Sequence, residues 1–154
     1  MTHSMGGYMF KHLFSSSTFD SKEKVIFDNI ILAMTDVNNK DHEKFVDRIR
    51  CRNNIYVTIN KKDKALRMAR WKFGEKQLAR LGHWKKNLIS KQAIYIDFSN
   101  AKHVNTESHG YFEDKPIAKN KNIREFFQLA VNGEDVEEVM DLEYNISKNY
   151  YKIL

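Results

Sequence analysis

"THSMGG", residues 2–7, sets a serine between a threonine two positions before it and a glycine two positions after it, with a second glycine behind. A sharp turn from a strand into a helix, with a serine hydroxyl exposed at its tip, needs small residues at those two offsets. Strand and helix must pass closely there. Gly6 meets the need. Thr2 meets it less well and is the departure from the G-x-S-x-G pattern. Residues 5–14 then carry Met9, Phe10, Leu13 and Phe14 at the spacing of one helical face. The stretch therefore reads as the tail of a strand, a turn and a helix, and the rest of the chain should supply the sheet.

It does so in alternation. After a polar, serine-rich stretch at residues 15–24, "NIILAM" (29–34) is a continuous apolar run, which suits a strand buried on both faces of a parallel sheet. Residues 41–50 read as a helix with Phe45, Val46 and Ile49 on one side. "NIYVTIN" (54–60) alternates and is rich in β-branched residues, so a second strand is expected. Residues 64–73 follow as a helix, "AIYIDF" (93–98) as a third strand, and residues 99–120 as a long loop holding His103, His109 and Pro116. "NIREFFQLAV" (122–131) is an amphipathic helix with Gly133 placed to stop it. Residues 134–154 begin as an acidic helix and end ambiguously. Strands alternating with helices predict an α/β fold with a mostly parallel sheet. Functional groups then gather beyond the carboxyl ends of the strands.

Composition bounds the partners. The 154 residues fit one ordinary domain, with 42% hydrophobic and 30% charged residues. No apolar run approaches the roughly 20 residues that cross a bilayer. The net charge of +6 raises an anionic partner without deciding for one. Cys51 is the one cysteine, which excludes an internal disulfide and a cysteine-based zinc site. His12, His42 and His83 show no ligand spacing, so no metal is expected. No signal-peptide pattern stands at the start, which makes the cytoplasm the default expectation for a chain whose N-terminus is complete.

At the predicted carboxyl edge three side chains converge. Ser4 sits on the turn. Asp63 follows the second strand and His109 lies in the loop after the third. A serine hydroxyl becomes a nucleophile when a base takes its proton and a carboxylate orients that base. On this type of turn the chain order is serine, acid, histidine, and the N–H of the next residue, here Met5, is a natural oxyanion donor. Asp36, at the end of "NIILAM", is the rival acid, and His103 the rival base. His3 neighbours Ser4, but strand alternation should turn its side chain away.

These stretches resemble the C-terminal part of an α/β-hydrolase, of the esterase/lipase-like kind found in bacteria. "THSMGG" is similar to the nucleophile elbow. "IILAMTDVNNKDHEKF" and "IYVTINKKDKALRMARW" are similar to the next two strands and the acid turn, and "IDFSN" with "SHGYF" to the last core strand and the histidine loop. The resemblance runs roughly from Thr2 to Val131. It implies that Ser4 is the nucleophile, Asp63 the orienting acid and His109 the general base. The implied reaction is acyl-ester hydrolysis through an acyl-enzyme, with no metal or organic cofactor and a small-molecule acyl ester as substrate. Residues 1–133 then form the C-terminal part of the hydrolase domain and residues 134–154 an extension, helical or irregular. The resemblance also implies further strands before the elbow and a loop with a second oxyanion N–H. Since only three residues precede Ser4, the expectation is a truncated chain or a misassigned start, with low or no activity alone and an unpaired sheet edge.

Two other readings stand beside this one. Residues 64–86 hold eight Lys or Arg and one Glu, with Trp71 and Trp84 interleaved. This composition fits a basic nucleic-acid-binding region with aromatics available for stacking. With no nucleic-acid motif beside the charge, it fits better a solvated helix and loop whose tryptophans pack the core or line an acyl pocket. The third reading is a non-catalytic remnant. Nothing in the sequence sets the oligomeric state.

Overall fold

The computed structural model describes residues 1–15, 25, 27–71 and 79–154. Its centre is three parallel strands, apolar in β2 (Ile30–Ala33), β-branched or aromatic throughout in β3 (Ile55–Ile59), and mixed in β4 (Ala93–Asp97). β3 is buried along its whole length, and so is β2. The alternation in "NIYVTIN" therefore distributes side chains between two apolar layers, not between core and solvent. Ile55, Val57 and Ile59 enter one layer with Phe45, Val46, Ile49 and Leu81. Tyr56 enters the other with Ile96, Phe98, Phe126 and Phe127.

The remaining elements follow from this core. β1 (Thr2–His3) pairs in parallel with β2, in the register Thr2 to Leu32 and His3 to Ala33. The helix α1 (Met5–Ser15) follows directly, as the opening stretch implies. Only part of its expected apolar face reaches the core. Phe14 is buried and its ring lies 4.5 Å from that of Phe10, whereas Met9 is 74% exposed and Leu13 faces outward too. The cause is position. β1 stands at the edge of the sheet among the described residues, so α1 overlaps the sheet along one side alone.

The helix expected at residues 41–50 is cut to α2 (Glu43–Val46). Asp41 before it has φ +61°, and after it the hydrogen bonds tighten to the three-residue spacing of Arg48 N–H to Phe45 and Ile49 N–H to Val46. Phe45, Val46 and Ile49 are nonetheless buried, as their spacing predicts. α3 (Lys64–Ala69) begins where expected and ends at the C-cap Arg70, short of the expected Phe73; residues 72–73 lie outside the described residues, as do residues 16–24 of the serine-rich stretch. The loop at residues 99–120 contains a helix, α4 (Asp114–Lys119). Pro116 falls in its first turn, where the missing N–H would have had no helical partner.

α5 (Lys121–Val131) is capped by the Asn120 side chain, which accepts from the N–H groups of Asn122 and Ile123 at 2.9 and 3.2 Å. It buries Ile123, Phe126, Phe127 and Ala130, the i, i+3, i+4, i+7 stripe. Gly133 ends it with φ +83°.

The last stretch departs most from expectation. After α6 (Val136–Val139) the chain forms a hairpin of β5 (Glu143–Asn145) and β6 (Tyr150–Lys152). β6 adds in parallel beside β4, with Ile96 opposite Tyr151, which gives a six-stranded sheet of order β1-β2-β3-β4-β6-β5. Tyr150 and Ile153 are buried by this pairing. A three-residue strand has no readable period, and its partner lies more than fifty residues upstream. The result is an α/β fold, mostly parallel, with helices on both faces. Among the described residues no helix is long and apolar enough to cross a membrane.

Candidate active site

The carboxyl ends of β1, β3 and β4 hold the candidate residues. Ser4 follows β1 directly with φ +51°, a conformation that costs a residue with a Cβ of order 1–3 kcal/mol. The neighbouring strand end holds it there. Ser4 N–H donates to the Ala33 carbonyl at 3.1 Å, and the Ser4 carbonyl accepts from Gly7 N–H at 3.1 Å and Asp36 N–H at 3.0 Å.

Close packing in this turn depends chiefly on a glycine that the pattern does not weight. A Cβ on Gly6 would stand 3.7 Å from the Thr2 Cβ, an ordinary contact. A Cβ on Gly7 would come within 1.8 Å of the Thr35 Oγ1. Thr35 is fully buried and has little room to yield. Gly7→Ala is therefore expected to destabilise the fold by about 1–3 kcal/mol, read as a lower urea midpoint. Thr35→Ala in the same chain should recover part of the loss.

Asp63 lies four residues beyond the end of β3 and caps α3. Its side chain is fully buried, so both oxygens need partners. Oδ1 accepts from Leu66 N–H at 3.0 Å, and Oδ2 from the His109 Nδ1–H at 2.7 Å. The Asp63 carboxylate holds the His109 imidazole above the ordinary histidine value, against burial, which pulls the other way. His109 keeps 28% of its side chain exposed.

The loop that carries His109 is tied down from below. Asn60, fully buried at the end of the β3 strand, donates its Nδ2–H to the Ser108 carbonyl at 3.2 Å. Lys64 N–H donates to Thr106 at 3.0 Å. Tyr111 is buried beneath the loop, stacked 4.5 Å from Phe98, and donates to Thr58 Oγ1. Asn60 was visible in the sequence only as the polar residue that ends an alternating run. That signal marks a strand end, not a loop anchor.

Ser4 and His109 line one cleft of about 310 Å³, together with Met5, Asp36, Ala65, Leu66, Met68 and Ala69. The structure thus brings Ser4, Met5, Asp63 and His109 to one place. Asp36 also reaches the cleft, but its Oδ1 lies 2.9 Å from the Arg80 Nε, a pair that is nearly buried. Its carboxylate is engaged there, and the carboxylate on His109 is that of Asp63. His103 is exposed, with φ +71°, and lines a wider groove of about 810 Å³ on the outer side of the loop with Asn105, Glu107 and Glu113. It does not line the Ser4 cleft.

In the basic region Arg80 is buried and Lys85 half-buried, whereas Lys64, Arg67, Arg70 and Lys86 are exposed. Lys64 pairs with Glu107, Arg80 with Asp36, and Lys85 with Asp97. Trp71 is 83% exposed and packs no core, whereas Trp84 lies under the Arg70 guanidinium at 5.7 Å. Residues 72–78 lie outside the described residues.

The mostly parallel sheet flanked by helices is an α/β architecture, and comparison gives its family. The model of the family described as alpha/beta hydrolase of unknown function (DUF900) matches residues 1–125. The chain belongs to this α/β-hydrolase family. No curated protein and no solved structure matches it. The match ends within α5, before the hairpin that completes the sheet. Family membership supports a hydrolase-type function for this α/β-hydrolase. Among the described residues no three His, Cys, Asp or Glu side chains are grouped to hold a metal ion.

Proposed function

We propose that this α/β-hydrolase cleaves acyl esters by two-step acyl transfer, with Ser4 as nucleophile, His109 as general base and Asp63 as its orienting acid. The observation that carries the reading is the 2.7 Å bond from His109 Nδ1 to the buried Asp63, in a histidine that shares its cleft with a serine at φ +51°. With Nδ1–H committed to Asp63, the other ring nitrogen is the acceptor a nucleophile needs. Ser4 Oγ attacks the acyl carbonyl as His109 Nε2 takes its proton. The carbonyl oxygen becomes an oxyanion that Met5 N–H, at the free N-terminus of α1, stabilises. His109 then gives the proton to the departing alcohol, which leaves the acyl-enzyme. Water repeats the sequence, losing its proton to His109, and releases the acid and the Ser4 hydroxyl.

The wall of the cleft suits an uncharged acyl chain. α3 contributes Ala65, Leu66, Met68 and Ala69, and Met5 adds a thioether at the rim. Asp36 is neutralised by Arg80. Met5 N–H is the oxyanion donor that this reading uses among the described residues, and catalysis through one donor in place of two is slower by roughly 100- to 1,000-fold. Slow turnover is therefore expected. The test is pre-steady-state release of p-nitrophenol from p-nitrophenyl butyrate. A burst approaching one equivalent per chain, followed by slow turnover, is expected, with a smaller burst from the hemisuccinate, whose acyl end is charged. Release no faster than in buffer at millimolar ester would contradict the proposal.

A further inference from the structure

We propose that His3 is a positioning residue for His109. The inference rests on the reading of His109 as the general base. His3 belongs to β1 and is held by the pairing of that strand with β2. Its side chain does not line the Ser4 cleft. It reaches instead into the histidine loop, 106 residues away in sequence, where its Nε2 lies 3.0 Å from the His109 carbonyl. A carbonyl only accepts, so this nitrogen carries the proton. The two imidazole rings pack at 4.8 Å between centroids, tilted by 50°, and the His3 ring meets Phe112 edge-on at 5.1 Å.

The geometry supplies what the Asp63 bond alone cannot. One hydrogen bond at Nδ1 fixes a point on the imidazole and leaves the ring free to swing about it. A second attachment, at the backbone of the same residue, fixes the origin of the side chain as well. Asp63 holds the ring and His3 holds the main chain, so the direction of Nε2 is set by both. The loop's ties to β3 and α3, at Ser108 from Asn60 and at Thr106 from Lys64, stop short of His109, whose own N–H donates only within the loop, to the Glu107 carbonyl at 2.9 Å. Because His3 immediately precedes Ser4, the same residue joins the strand of the nucleophile to the loop of the base. A misplacement of about 1 Å between such groups costs up to about 100-fold in rate, so a direct tie between them has functional consequence.

Two substitutions separate the donor from the ring. His3→Gln keeps an N–H at nearly the reach of Nε2 and removes the ring. His3→Phe keeps a ring and removes the donor. Two quantities are read on each folded protein: the rate of phosphonylation of Ser4 by an alkyl fluorophosphonate, and the titration of His109 by NMR of histidine-labelled chain. His3→Phe is expected to slow phosphonylation about 5- to 10-fold, the worth of one hydrogen bond, and His3→Gln to restore it to within about twofold. The His109 midpoint should fall in His3→Phe, as the Asp63 bond loosens, and recover in His3→Gln. Neither variant carries charge at position 3, so their difference reports position. If His3→Phe fails to fold, His3→Asn, whose amide is too short to reach the carbonyl, takes its place with the same expectations. A phenylalanine variant that matches wild type in rate and titration overturns the proposal. So does a glutamine variant as impaired as phenylalanine. If wild type is not phosphonylated, the reading of the catalytic site fails, and the His109 midpoints of the two variants still decide whether His3 positions the ring.

Discussion

Ser4→Ala is expected to abolish acyl-ester turnover, by at least about a thousandfold, while the fold stays intact. The expectation rests on what the serine does locally. Its backbone is part of the structure. The N–H bonds Ala33, and the carbonyl accepts from Gly7 and Asp36. None of these bonds uses the hydroxyl. Alanine keeps the Cβ, and with it the same conformational cost at φ +51°. The substitution therefore subtracts the Oγ and little else, and steady-state turnover should collapse without a matching fall in thermal midpoint. Equal losses in both would mean that Ser4 is a structural turn residue and that the chemistry lies elsewhere.

Asp63→Asn has the second largest expected effect, a loss of about 10³- to 10⁴-fold in kcat. Asp63 has two duties, and the substitution divides them. As the N-cap of α3 it accepts from Leu66 N–H, and asparagine caps about as well as aspartate. As the partner of His109 it supplies a negative charge and an acceptor that fixes which ring nitrogen carries the proton. Asparagine keeps the first duty and fails the second. Asp63→Ala loses both, and should cost about 1 kcal/mol of stability beyond the asparagine variant.

The pH profile carries a sign that checks the same bond. The base must be neutral to work, so the rate should rise with pH through the midpoint of His109. That midpoint lies above the ordinary value of about 6.5 because Asp63 stabilises the charged ring. In Asp63→Asn the rising limb should move to lower pH. Stability runs the other way. A histidine whose folded value is raised stabilises the fold below pH about 6.5 and loses that contribution as pH climbs through the folded value. The ring is partly exposed, so this contribution is small beside the effect on rate.

Much of this architecture could be read from particular residues. "NIYVTIN" and "AIYIDF" read as strands from their β-branched and aromatic residues, and "NIILAM" as a short continuous apolar run. Their separation by helical stretches predicted the mostly parallel sheet; the ends of the second and third strands pointed to Asp63 and His109, the end of the first to the rival acid Asp36, and the turn pattern at residues 2–7 to Ser4. What stayed hidden depended on contacts between distant parts of the chain. The hairpin of β5 and β6 is too short to show a period, and it exists because β6 finds a place beside β4. Gly7 is a second glycine in the sequence. Only the fold reveals Thr35 against it. The outward turn of Met9 and Leu13 follows from the edge position of β1, which a helical wheel does not contain. His3 was expected to turn away from Ser4, but alternation along a strand says nothing of the loop that it meets.

The central claim is that Ser4 is a nucleophile activated by His109 and Asp63. Its most direct test is the site of covalent modification. The folded chain is treated with an alkyl fluorophosphonate, weighed intact and mapped by peptide mass spectrometry. One adduct per chain, on Ser4, is predicted, forming at least about 100-fold more slowly in Asp63→Asn and His109→Ala than in wild type. An adduct on another residue, or a Ser4 adduct whose rate ignores Asp63 and His109, would contradict the account.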